Sequence, residues 1–152
     1  MARHAGLTKG AIYANFAGKN DLVAAILERK LAGDGDPEPA AGPLTSWLEA
    51  LGARYEATID EPENRRFIQA FAEFWLHGMR DEASRAVVAR WLRTIRESHA
   101  AQVTALDGDS ALPAERLAAL MLALDIGVAL QHLIDPEAVP ARLYGDALNK
   151  LR

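Results

Sequence analysis

The spacing of the aromatic residues between positions 67 and 75 constrains this chain more than any other feature. Phe67, Phe71, Phe74 and Trp75 fall at i, i+4, i+7 and i+8, which puts four large rings on one face of an α-helix. A β-strand would send such neighbours to opposite faces. The same period returns in Val87, Val88, Trp91, Leu92, Ile95 and Val103, and in Leu22, Val23, Ile26 and Leu27. Ala, Leu, Arg and Glu dominate, and alternating β-branched runs are missing. The expected fold class is therefore all-α.

Glycine, proline and capping residues divide this pattern. Short helices are expected over about residues 1–5 and 8–16, separated at Gly6, with Thr8 as a cap. Gly18 breaks the chain, and a third helix follows over about 20–32. The segment GDGDPEPAAGP, residues 33–43, reads as a loop and as the boundary between a small head (1–32) and a larger body (44–152). In the body, Ser46 and Glu49 form an S-x-x-E capping box that predicts a helix over about 46–59. Pro62 opens the aromatic helix, which ends near Gly78. A long helix covers about 82–106, and DGDSALP (107–113) is a loop. The last two helices are predicted over about 114–134 and 137–151, as antiparallel neighbours joined by a tight turn at Asp135 and Pro136.

Charge separates the same two parts. Residues 1–30 carry a net +3 and the rest a net −7, a basic head on an acidic body, which suits a head that meets a polyanion. There are no cysteines, which excludes disulfides and thiolate metal sites and fits a reducing cytoplasm. The opening residues show no basic-then-apolar leader pattern. The most apolar run, Leu117 to Ile134, is interrupted by Asp125, Gln131 and His132, so it reads as a buried helix and no membrane span is expected. Asp125 in that run suits a cap, a solvent gap or a pairing across an interface. No nucleophile–base pair or phosphate-binding glycine loop after a strand is found, and Glu73 with His77 supplies at most two metal ligands. No catalytic residue, metal or cofactor is expected.

The stretch ARHAGLTKGAIYANFAGKNDLVAAIL, residues 2–27, carries the functional signal. A helix, a tight glycine turn and a second short helix with a small, polar, weakly basic outer surface form a helix-turn-helix. Thr8 and Lys9 stand at the start of the second helix, where free amides and the helix dipole favour phosphate. Tyr13 reaches a phosphate one turn on, and Asn15 a base edge or a phosphate. The plainer readings are a cap for Thr8, solvated surface for Lys9 and Lys19, and packing inside the head for Tyr13.

Ala5, Gly6, Leu7, Thr8, Gly10, Ile12, Tyr13, Phe16, Lys19 and Leu22 together resemble the signature of the tetracycline-repressor (TetR) family of transcriptional regulators. That resemblance implies that Thr8, Lys9, Ala11 and Tyr13 face the groove or contact phosphate, with Lys19 a phosphate anchor, and Gly10 and Asn15 complete the expected DNA-binding set. It makes Ile12, Phe16, Leu22 and Ile26 the core of the head. The family has a further helix, usually behind a basic arm, ahead of this motif. The expectation is therefore a truncated head and weak DNA binding by this chain.

Residues 122–148 are similar to the last two family helices, which pair with their copies from a second subunit as a four-helix bundle. The expected homodimer interface is Leu117, Leu120, Leu124, Val128, Gln131, Leu143 and Leu148. Residues 117–130 support this independently, being apolar on nearly every face. The family's body also holds an inducer. The expected lining here is Phe67, Phe71, Phe74, Trp75, Trp91, Ile95 and Met121, and the expected ligand is small and apolar or amphipathic. The plainer reading of those residues is ordinary core. The function expected is a repressor released from operator DNA by that ligand. The alternative is a dimeric small-molecule-binding or interaction protein of the same fold without DNA binding.

Overall fold

The computed structural model describes residues 18–33, 42–106, 108 and 110–151. Six helices follow in order: α1 (Lys19–Gly33), α2 (Leu44–Thr58), α3 (Pro62–Gly78), α4 (Glu82–Ala105), α5 (Ala114–His132) and α6 (Leu143–Leu148). The described residues contain no β-strand, and none of their helices is long and apolar enough to cross a membrane. The all-α expectation holds, and α3 has the predicted bounds, with Pro62 in its first turn. The two head helices predicted before Gly18 lie outside the described residues.

Several boundaries differ from expectation. Helix α2 begins at Leu44, and Pro43 is its N-cap without a side-chain hydrogen bond. Ser46 is already inside the first turn, with its backbone N–H donating to the Pro43 carbonyl at 3.1 Å, so the capping box does not form. Helix α4 ends one residue early at Ala105, where Leu106 turns to an extended conformation. The final helix is shorter than predicted, and a ten-residue link, 133–142, replaces the tight turn. Pro140 explains this: proline disfavours helical geometry in the residue before it and offers no N–H. The freed backbone is satisfied locally. Asp135 Oδ1 accepts from the Ala138 N–H at 3.1 Å, and the Val139 carbonyl accepts from His132 Nδ1 at 2.9 Å.

Two apolar cores result. The first gathers Leu44, Trp47, Leu48 and Leu51 of α2, Val103 and Leu106 at the end of α4, Leu117, Met121 and Val128 of α5, and Tyr144 and Leu148 of α6. The second gathers Leu27 of α1, Phe71 and Phe74 of α3 and Val88 of α4, with Val23, Phe67, Trp75, Val87, Trp91 and Leu92 packed around them. The 24 residues of α4 span about 36 Å at 1.5 Å each, so one rigid helix joins the two cores. Helices α2 and α6 meet at Gly52 and Gly145. A Cβ added at Gly52 would lie 2.6 Å from the Gly145 Cα, so only glycine permits this crossing.

A connector helix seated on an aromatic cluster

Helix α1 joins the segment that carries the helix-turn-helix pattern to the body. It is held at both ends and along its middle. At its N-terminal end, Asn20 Oδ1 accepts from the Ser84 hydroxyl at 3.0 Å, and Ser84 is fully buried. Ser84 belongs to the first turn of α4, whose cap is Asp81. That carboxylate accepts from the Ser84 backbone N–H at 2.7 Å. Hydrogen bonds from Ser84, with smaller help from the nearby His77 and from the Asn20 side chain, hold the Asp81 carboxyl below its usual range. At the other end of α1, Lys30 Nζ donates to Asn64 Oδ1 at 2.6 Å and lies 5.2 Å from the centre of the Phe67 ring. Asn64 in turn donates to the Thr58 carbonyl at 2.8 Å, which fixes the α2–α3 corner.

Between these ties, Leu27 is buried and Val23 half-buried against the second core. Rings make up half of that core. Phe71 stands 4.8 Å from Trp91 and 5.5 Å from Trp75 by ring centres, and Phe67 is 6.1 Å from Phe71. These separations fall in the range where aromatic pairs attract beyond their buried area. Phe67, Phe71, Phe74, Trp75 and Trp91 are thus brought together in one cluster. Met121 is fully buried in the other core, and Ile95 is half-buried outside both clusters. The Trp91 indole N–H is buried with no hydrogen-bond partner among the described residues. A groove of about 200 Å³ lies elsewhere, between α2 and α6, lined by Glu49, Glu56, Arg142, Asp146 and Asn149 around the two crossing glycines.

The residues expected at a subunit interface divide. Leu117, Val128 and Leu148 are buried inside the chain's own first core. Leu120 and Leu143 are each 41% exposed, Gln131 is exposed and Leu124 is half-buried. Leu130 at 38% and Ile134 at 85%, which the sequence reading passed over, add to this outer surface. Burial of Leu117 was not legible beforehand, because an all-round apolar helix does not say which side its own chain covers. Asp125 is also placed: its backbone carbonyl accepts from the Tyr55 hydroxyl at 2.9 Å. Burial, then the Asp125 charge and Tyr144, pushes that hydroxyl above its ordinary range, so it remains a donor at any physiological pH.

Thr8, Lys9, Gly10, Ala11, Tyr13 and Asn15 lie outside the described residues. Lys19 is the first residue of α1, at the end of the helix that faces them in sequence. Leu22 and Ile26, which the resemblance assigned to the head core, are half-buried.

A basic, helix-turn-helix-patterned segment leading into a connector helix on an all-α body defines a class of DNA-binding regulator. Comparison with known proteins agrees at both ends of the chain. Residues 47–149 match the family model described as the C-terminal domain of BetI-type transcriptional repressors, and residues 1–26 match that of bacterial regulatory proteins of the tetR family. The chain belongs to the TetR family and is a DNA-binding transcriptional regulator. Its fold is similar to the crystal structure of a transcriptional regulator from Rhodococcus sp. Rha1, with a TM-score of 0.68 at 24% identity, over 99% of this chain and 79% of that one. A comparison with curated proteins gave no match.

Proposed function

We propose that this regulator is a cytoplasmic, homodimeric repressor that leaves its operator when a small amphipathic molecule enters the aromatic cluster beneath α1. One observation carries the reading. The helix that leads from the DNA-binding segment rests through Val23 and Leu27 on the Phe67, Phe71, Trp75 and Trp91 cluster, and is tied to the body at Asn20 and Lys30. A molecule that reshapes the cluster displaces α1, and with it the spacing of two DNA-reading heads that must match successive major grooves. The buried Trp91 N–H offers one donor to a ligand acceptor.

Lys9, Tyr13 and Lys19 are the residues proposed to grip phosphate, with Thr8, Gly10, Ala11 and Asn15 completing the DNA surface. The dimer face proposed is the outer side of α5, with Leu120, Leu124 and Gln131, joined by Leu143 of α6. No reaction is assigned to the protein.

Fluorescence anisotropy with a duplex from the protein's own promoter region tests the reading. Specific binding is expected to exceed binding to a scrambled duplex by about a thousand-fold or more. Lys9→Ala and Lys19→Ala are each expected to weaken binding to both duplexes and to lower the salt dependence by about one ion. Equal affinity for the promoter and scrambled duplexes would overturn the proposal.

A further inference from the structure

His132 is the last residue of α5, and it is only 5% exposed. Both of its ring nitrogens face oxygen acceptors. Nδ1 lies 2.9 Å from the Val139 carbonyl, and Nε2 lies 3.3 and 3.2 Å from the two carboxylate oxygens of Asp60. A neutral imidazole carries one N–H and can serve only one of these partners. With Nδ1–H given to Val139, the Nε2 lone pair would point at a carboxylate, acceptor against acceptor. Only the imidazolium satisfies both. The C-terminus of α5 also favours that cation, because the open carbonyls of a helix end carry partial negative charge.

The two partners belong to different elements. Val139 lies in the link between α5 and α6, and Asp60 in the α2–α3 corner. Asp60 is also bound by Arg65 of α3 at 2.8 Å. The other charged residues of the corner and link, Glu61, Glu63, Asp135, Glu137 and Arg142, are exposed. Asn64 belongs to the same corner. It donates to the Thr58 carbonyl and accepts from Lys30 of the connector helix α1. The corner that His132 holds through Asp60 thus holds α1 through Asn64.

We propose that His132 is a proton-operated clasp: its imidazolium joins α5, the following link and the α2–α3 corner, and loss of the proton releases Asp60 and loosens the seat of α1. Histidine is the side chain whose charge ordinarily changes between about pH 5 and pH 8, so the device works in the physiological range. Asp60 is the partner released, because its side chain is 63% exposed and water receives it, whereas the Val139 carbonyl keeps the remaining N–H. The bonds of the imidazolium are complete on the acid side and are lost as pH rises. The hold on α1, and with it the affinity for DNA, therefore falls across that range. The clasp acts without any small-molecule ligand.

Amide hydrogen exchange on the full chain tests the clasp, with wild type compared to Asp60→Asn and His132→Gln. The amides of Ile59, Glu61 and Arg65, which are bonded within the corner, are followed at about pH 6 and about pH 8, with the intrinsic pH dependence of exchange subtracted. The wild-type corner is expected to open about two- to five-fold more at the higher pH, the scale of a partly exposed ion pair. Both variants are expected to show no such difference. Asp60→Asn alters an exposed side chain and leaves the ring in place, so it decides the matter if the His132 variant does not fold. Equal changes in wild type and Asp60→Asn overturn the clasp. Anisotropy with the promoter duplex over the same range reads the effect on α1. Wild-type affinity is expected to fall by a similar factor relative to Asp60→Asn, a comparison that removes the contributions of His77 and of the DNA phosphates. Parallel affinity profiles beside a pH-dependent corner overturn the reach to α1 and leave the clasp.

Discussion

The Ser84 hydroxyl, fully buried at the start of α4, donates to the Asn20 side chain across a sequence gap of 64 residues. It is a polar tie between the rigid strut of the body and the helix that leads to the DNA-binding segment. Ser84→Ala removes the donor and keeps the backbone N–H bond to the Asp81 cap, but loses the side-chain contact that most lowers the Asp81 carboxyl. A loss of about 1 kcal/mol is expected, the ordinary net value of one such bond. It is read as a fall of about 2–4 °C in Tm by calorimetry. Promoter affinity is expected to fall as well, because α1 is less firmly held. An unchanged Tm and unchanged affinity would show that the tie contributes nothing.

Gly52 and Gly145 bring the backbones of α2 and α6 into contact. Gly52→Ala places a methyl 2.6 Å from the Gly145 Cα, and backbone atoms on both sides leave no flexible side chain to yield. The expected cost is about 1–3 kcal/mol, as for other overpacked positions. Gly127→Ala serves as the comparison, since its methyl meets nothing in its own chain. Urea unfolding of both variants checks this, and equal stability of the two would contradict the crossing at Gly52.

His132 closes the base of α5. Its Nδ1 donates to the Val139 carbonyl at 2.9 Å and its Nε2 lies 3.2 Å from Asp60 Oδ2, so a buried ring links α5, the α5–α6 link and the α2–α3 corner. His132→Ala leaves the Val139 carbonyl without this partner. A loss of about 1–3 kcal/mol is expected from the unsatisfied group. Amide hydrogen exchange is expected to speed up first in residues 133–142, where the link depends on this ring.

Acid stability follows from two carboxylates. The hydrogen bond from His132 Nε2, which donates only in the imidazolium form because Nδ1–H already serves Val139, aided by Arg65 at 2.8 Å, holds the Asp60 carboxyl below its usual 3.8, and the Ser84 bonds do the same for Asp81. A carboxyl whose folded pKa is depressed stabilises the fold above its unfolded value and loses that contribution as pH falls through the folded one. Stability is therefore expected to be level near pH 6 and to decline below about pH 4, where unfolded aspartates begin to bind protons. Asp60→Asn is expected to flatten that decline in thermal melts, modestly because the side chain is 63% exposed. A decline of the same slope in the variant would remove Asp60 from the account.

The periodicity of the rings made α3 legible, and with it the all-α class, because four aromatic residues at helical spacing allow no other regular structure. The head motif made the family legible, since its glycines, threonine and basic residues are a local pattern. Other features were beyond local reading. The spacing of Ser46 and Glu49 suggested a cap, but packing of Leu44 into the core started the helix earlier. The length of the last helix was overestimated because a run of good helix formers outweighed Pro140, and only the bonds at Asp135, His132 and Val139 show how the chain turns there.

The sequence by itself therefore determined the kind of elements and the class of protein, because periodicity and capping act between residues a few positions apart. Only the tertiary structure decided which side of each helix is used. Leu117 and Leu120 look alike in the sequence, yet one is wholly buried in its own chain and the other is 41% exposed. Met121 and Phe71 both read as pocket lining, yet they lie in separate cores joined by α4. Apolar residues carry no label for the partner that buries them. Hydrophobic burial is non-directional, and the choice is made by the arrangement of all six helices together.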